Sequence, residues 1–142
     1  DVRTVQVRFG VVLGEGGGAL EKMSLPLGLG VGLVGKGDNV LAWVHLEDAV
    51  GVLLWALDEE ACSGAYHAVA PDPVTQRTLC EALGRAMGRP VIPSPAAVVR
   101  LGLGEAVDVL TGSVDARPER TRAEGYAFRF TTIDEAAEAI FG

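Results

Sequence analysis

The sequence predicts an α/β fold, and three stretches carry the prediction. Residues 4–13, Thr-Val-Gln-Val-Arg-Phe-Gly-Val-Val-Leu, are β-branched and apolar in the manner of a strand covered on both faces. Residues 40–46 read as a second short strand, holding Trp43 and His45. From Leu46 the period changes: Leu46, Val50, Leu53 and Leu57 follow one another at i, i+4, i+7 and i+11, which is one face of a helix and the side expected to meet the core. Glu47 and Asp48 fall in its first turn, where carboxylates meet the positive end of the helix dipole.

The remaining elements follow in order. Glycines 14, 16, 17 and 18 break the first strand, and Ala19–Leu27 has helical composition up to the limit set by Pro26. Gly28 to Gly37 holds five glycines in ten residues and reads as a mobile loop. The strand and helix at 40–57 come next, with Trp55 on the buried side of that helix. Ala65–Ala70 is another short strand. Thr75 then caps a helix whose core face is Leu79, Ala82, Leu83, Ala86 and Met87, ended by Gly88 and Pro90. Ser94-Pro95 repeats the start signal for a helix through Val98 and Leu101, and 104–112 allows another turn or two. Tyr126 to Phe130 alternates in polarity, and Thr132 with Glu135 makes a capping box for the last helix.

Composition narrows the function. The chain has 142 residues, enough for one domain with a real core, and 49% of them are hydrophobic. A net charge of −7, with Lys22 and Lys36 the sole lysines, argues against a nucleic-acid partner. No run reaches the roughly 18 apolar residues of a membrane span, and the N-terminus lacks a signal-peptide layout. The chain opens on Asp1 and runs almost at once into a strand, a start that looks internal. Cys62 and Cys80 stand 18 apart without a CxxC, so no metal site is expected; Cys80 reads as a buried thiol, and sparse cysteine suits a reducing cytoplasm.

Several motifs invite chemistry. Gly14-Glu-Gly-Gly-Gly-Ala19 fits a dinucleotide loop but lacks the second strand with its acidic end. Gly30-Val-Gly-Leu-Val-Gly35 fits the same pattern, and Gly30 to Lys36 resembles a P-loop whose Mg²⁺-holding hydroxyl is replaced by Gly37. In a chain with 19 glycines these read as loops. His45 and Asp48, three apart at a strand–helix junction, could form an acid–base pair; the reading adopted is that Asp48 supports the helix start and His45 packs beside it. His67 reads as structural, Trp43 as a residue able to line a pocket. Ser113 and Asp115 lie in a polar loop without nucleophile-elbow glycines.

Taken together, Arg8-Phe-Gly-Val-Val-Leu-Gly14, Gly17-Gly-Ala-Leu-Glu-Lys-Met23 and Trp43-Val-His-Leu-Glu-Asp48 resemble the second half of an extended short-chain dehydrogenase/reductase. Ala70-Pro-Asp-Pro-Val-Thr75, Gly112-Ser113, Arg117-Pro118 and Gly125-Tyr-Ala-Phe-Arg-Phe130 resemble the C-terminal segment of its atypical NAD(P)-dependent epimerase/dehydratase-like subgroup, often labelled nucleoside-diphosphate-sugar epimerase. The resemblance implies the terminal strands of a Rossmann-type parallel sheet plus a small, mostly helical substrate-binding lobe. Residues 1–14 and 65–88 would be sheet strands and helix, 15–64 loop, strand and core helix, and 89–142 the family's C-terminal segment.

It also implies an enzyme about twice this long, an oxidoreductase or isomerase, whose first half holds the NAD or NADP loop and the catalytic Ser and Tyr-x-x-x-Lys set. Here Tyr66 precedes Ala70 and Tyr126 precedes Phe130 at that spacing, so no catalytic residue is assigned and tight cofactor binding by this chain alone is not expected. The cleft residues implied are Arg8, Val11, Leu13, Gly14, Gly17, Trp43 and His45. The implied partners are a small-molecule substrate and either the missing Rossmann half or another copy of the chain, paired at strand 4–13. A stand-alone binding module without activity is the alternative. Two departures bear on substrate. Where many sugar-nucleotide epimerases have Asn in R-x-x-N-V-Y-G-P, this chain has Val11, and where an arginine often meets the diphosphate it has Leu41. A diphosphate would lose charge-assisted hydrogen bonds at both places, which favours a smaller or more apolar substrate.

Overall fold

The computed structural model describes residues 2–23, 30–94, 108 and 112–142. The strand read at 4–13 is two strands. Strand β1, Val5–Phe9, pairs in parallel with β6, Gly64–Ala68, with Arg8 opposite His67. Strand β2, Val11–Leu13, pairs in parallel with β5, Trp43–His45. Gly10 makes the break: a side chain there would collide with the Ala42 carbonyl, which receives the Val11 N–H at 2.8 Å. The backbone thus changes partner where only hydrogen fits.

β1 departs from the expected covering on both faces. All five of its residues are half-buried or exposed, because β6 is its sole strand neighbour among the described residues. Parallel strands ordinarily lie inside larger sheets, so β1 has an open edge. β2 and β5 are by contrast buried, with Leu13, Trp43 and Val44 fully inside.

Within the described part of the glycine-rich stretch, 31–34 form a strand rather than a loop, followed by a turn at 35–36. Strand β3, Val31–Val34, is buried throughout and pairs in parallel with β8, Val91–Ser94. Gly30 lets the two backbones approach, since a Cβ there would meet the Pro90 carbonyl. Glycine content here serves packing. Helix α1 covers Gly18–Met23; the rest of the helix expected at 19–27 lies outside the described residues, as do those expected from Pro95 and across 104–112 except Asp108 and Gly112. Short strands β4, Val40–Leu41, and β7, Val74–Thr75, pair antiparallel.

Helix α2, Leu46–Asp58, has the expected limits but the opposite orientation. Its buried residues are Asp48, Ala49, Val52 and Ala56, whereas Leu46, Val50, Leu53, Leu54 and Leu57 are 42–71% exposed. Small side chains let the helix sit close on the strands, and most of the large ones lie on its more exposed side. Trp55 is half-buried, edge-on to Tyr66 at 5.5 Å.

Helix α3, Gln76–Met87, matches its sequence signals. The Thr75 hydroxyl accepts from the Thr78 N–H, Leu79, Ala82 and Leu83 are buried, and Gly88 closes the helix in left-handed conformation. Cys80 is buried with them against the Gly32 carbonyl, and burial pushes its thiol up to about 11. Two further helices follow, α4, Glu119–Ala123, and α5, Ile133–Phe141. Thr132 caps α5 by accepting from Glu135, as the capping signal predicts, while the Glu135 carboxylate reaches back to Thr131. The main core joins α3, α5, β3 and the inner faces of β2 and β5.

Candidate functional site

The residues predicted for the cleft separate into three places. Arg8 and Val11 line a cavity of about 270 Å³ at the carboxyl ends of β1 and β6. Gly14 and Gly17 line a different cavity, of about 350 Å³, beyond the end of β2. Leu13, Trp43 and His45 line neither and are buried, a correction to the reading of Trp43 as a pocket wall: its ring is fully enclosed, and its indole N–H donates to the Asp72 carbonyl at 2.9 Å.

His45 Nδ1 and the Asp48 carboxylate are bonded to other groups and not to each other, which speaks against an acid–base pair. His45 Nδ1 accepts the Glu47 N–H at 3.0 Å, capping α2, so the ring proton of the neutral imidazole sits on Nε2. The ring stacks on Phe130 with centroids 4.0 Å apart. Burial lowers its pKa, against the smaller opposing pull of the Glu47 and Asp48 carboxylates. Asp48, 1% exposed, receives the Tyr126 hydroxyl at 2.8 Å and the Arg129 N–H at 2.9 Å on one oxygen, and the Phe130 N–H at 2.9 Å on the other. Both residues bind the C-terminal segment to the start of α2.

The larger cavity is a poor cradle for a dinucleotide phosphate. Gly16, Gly17 and Gly18 have the positive φ such a loop needs, but Glu15 and Glu21 stand in its wall, and two carboxylates repel a diphosphate. The second glycine motif is spent as β3: the Val31 N–H donates to the Pro90 carbonyl and the Val34 N–H to Gln76 Oε1, leaving those amides nothing to offer a phosphate. Neither glycine motif therefore fits the cofactor's diphosphate. The described residues include no group of three or more His, Cys, Asp or Glu placed to hold a metal, and no helix long and apolar enough to cross a membrane.

The cavity at β1 and β6 has the features of a small-molecule site. It lies outside the carboxyl ends of parallel strands, where open α/β sheets bind ligands. Phe9, Val11, Leu41, Val69 and Val114 make apolar walls, and Gly10, Ala42 and Ala116 leave room between them. Arg8 and His67 supply the polar groups. The two departures from the sugar-nucleotide pattern, Val11 and Leu41, thus face one space. His67, read as structural, also stands in this wall; its position opposite Arg8 follows from strand register, which the sequence does not display.

Comparison with known proteins bears on the fold. Residues 94–140 match the family described as Domain of unknown function (DUF1731). The chain is 40% identical over 141 residues to the mouse epimerase family protein SDR39U1, covering 97% of this chain and 48% of that protein. It superimposes on the crystal structure of human SDR39U1 (isoform 2) with NADPH at a TM-score of 0.88 and 39% identity, covering 97% of this chain and 48% of that one. The UDP-glucose 4-epimerase of Thermus thermophilus, in complex with NAD, shares the fold at a TM-score of 0.66 and 23% identity. The chain spans about half the length of the relatives it matches.

Proposed function

We propose that this chain, homologous to the SDR39U1 epimerase family and matching the C-terminal portion of an NAD(P)-dependent epimerase-like protein, supplies the substrate-binding side of a two-part active site. The other half would bind NAD or NADP and carry the proton-handling residues, giving an epimerase, isomerase or oxidoreductase only when both are present. This chain is not catalytic alone. Its two free cysteines suit a reducing compartment, which we take to be the cytoplasm.

The observation that carries the reading is the meeting of Val11 and Leu41 on the cavity at β1 and β6. Without a donor or cation at those positions, a sugar diphosphate is poorly held, and a smaller, more apolar molecule suits the walls better. The cleft residues we retain are Arg8 and Val11; Gly14 and Gly17 edge the separate cavity beyond β2, and Leu13, Trp43 and His45 serve as supports.

The partner surface follows from the same architecture. The open edge of β1 continues into a groove of about 340 Å³ between Val5, Val7 and the α2 residues Leu53 and Leu57. A strand added to β1 and a helix laid on the leucines of α2 would bury both. We assign this face to the missing Rossmann half; a second copy of the chain is the competing occupant.

Titrating NADPH into this chain and into the full-length protein tests the reading. Saturable binding is expected in the full-length protein alone. Equal binding by both, or tight and specific binding of a UDP-sugar to the full-length protein, would contradict it.

A further inference from the structure

Arg8 differs from most arginines of the chain. Arg3 holds three backbone carbonyls, Arg77 the Lys36 carbonyl, and Arg85, Arg117, Arg120 and Arg129 are each paired with a carboxylate. Arg8 has no such partner among the described residues, yet it stands in the wall of a cavity. His67 is its register partner across β1 and β6, so both side chains leave the same face of the pair. The His67 backbone is fixed as well, because its carbonyl accepts the Thr121 hydroxyl at 2.8 Å. Among the described residues no Asp or Glu lines the cavity, and the carboxylate beside it in sequence, Asp115, is taken by Arg117 at 3.3 Å. In a chain of net charge −7, this is a mainly apolar cavity whose polar side chains, among the described residues, are a guanidinium without a carboxylate partner and an imidazole.

We infer that Arg8 and His67 anchor a single compact oxyanion, a carboxylate or a phosphate monoester, carried by a substrate whose apolar body fills the cavity. The inference rests on the reading of this cavity as the substrate site and narrows it to a small amphiphilic acid. A guanidinium presents two parallel N–H donors to such a group, and an imidazole N–H from the neighbouring strand can add a third. Low-polarity walls strengthen those bonds relative to water. The same walls reject the many hydroxyls of a sugar, which would be buried without partners.

The chain has two histidines, so imidazole NMR signals report the site directly: His67 lies in the cavity wall, and buried His45 serves as the fold control. Hexanoate, hexyl phosphate and hexanol would be titrated into the 142-residue protein and into Arg8→Met and Arg8→Lys. The expected result is a saturable shift of His67 with His45 unmoved, at least tenfold tighter for hexanoate or hexyl phosphate than for hexanol. Arg8→Met should abolish that preference without changing hexanol binding, and Arg8→Lys should keep part of it. The better of the two anions identifies the headgroup. Equal affinity for hexanol and the anions, or a preference that survives Arg8→Met, would overturn the anchor while leaving the cavity as a substrate site. Failure of all three ligands to move His67 would overturn the cavity reading itself.

Discussion

The Asp48 carboxylate and the Tyr126 hydroxyl meet at 2.8 Å across 78 residues of chain. With the Arg129 and Phe130 amides on the same carboxylate, this contact fastens the segment before α5 to the first turn of α2. A buried charge is tolerated here because three donors and the helix N-terminus satisfy it. Asp48→Ala would strand a hydroxyl and two amides, and we expect it to cost about 2–4 kcal/mol. Tyr126→Phe removes one bond and should cost about 1 kcal/mol. Urea unfolding of the two variants checks the order; equal losses would contradict the account.

Gly51 lies where α2 passes Tyr126. Alanine is the better helix former by about 1 kcal/mol, but a Cβ at this position would overlap the Tyr126 hydroxyl. Gly51→Ala should therefore destabilise the protein by about 1–3 kcal/mol, the cost of overpacking. In a Tyr126→Phe background the loss should shrink, because the nearest obstructing atom is gone. A thermal melt of the four-member cycle distinguishes this from a simple propensity effect, which would stabilise in both backgrounds.

The pH dependence follows from His45. Burial lowers its folded-state pKa below the ordinary value of 6.5, so in the window below that value the unfolded chain binds more protons than the folded one. Stability from this residue is complete above 6.5 and is lost as pH falls from there through the folded pKa. His45→Asn keeps a side-chain acceptor for the Glu47 amide but cannot titrate. It should flatten the fall in stability between pH 6.5 and the folded pKa, as read by urea midpoints at successive pH values. An unchanged slope would show that His45 is not the titrating group.

The leucines of α2 separate folding from association. Leu53 and Leu57 are 42% and 71% exposed and contribute little to this chain's own core. Leu53→Gln with Leu57→Gln should change its stability by no more than about 0.5 kcal/mol. The same pair should abolish co-purification with a separately expressed cofactor-binding half. Unfolding of the chain by these changes would mean that the stripe is internal support.

Much of the architecture was legible in the residues. The Thr75 and Thr132 caps, the Gly88 terminus and the period of α3 are local signals, and the structure follows them. Two readings failed for physical reasons. The i, i+4, i+7 pattern of α2 located an apolar face but not what covers it, and this chain covers the opposite, small-residue face. The glycines at 30 and 32 looked like a loop because composition cannot distinguish flexibility from close packing; β8 against β3 settles it. Val11 and Leu41 are separate departures from a motif in the sequence, and their meeting in one cavity depends on the close approach of Gly10 to Ala42. Long-range contacts such as Asp48 with Tyr126 and Arg8 with His67 depend on pairing and register, and no local pattern carries those.

The proposed role is that of the substrate-binding part of a longer epimerase-like protein. Its most direct test is the mass of the native gene product, measured by immunoblot of source-organism cells with an antibody raised to this chain. The chain itself is 14.8 kDa. A product about twice that mass is the expected result, in keeping with the 48% of SDR39U1 that the chain covers. A product of the chain's own mass would contradict the account and leave a stand-alone binding module in its place.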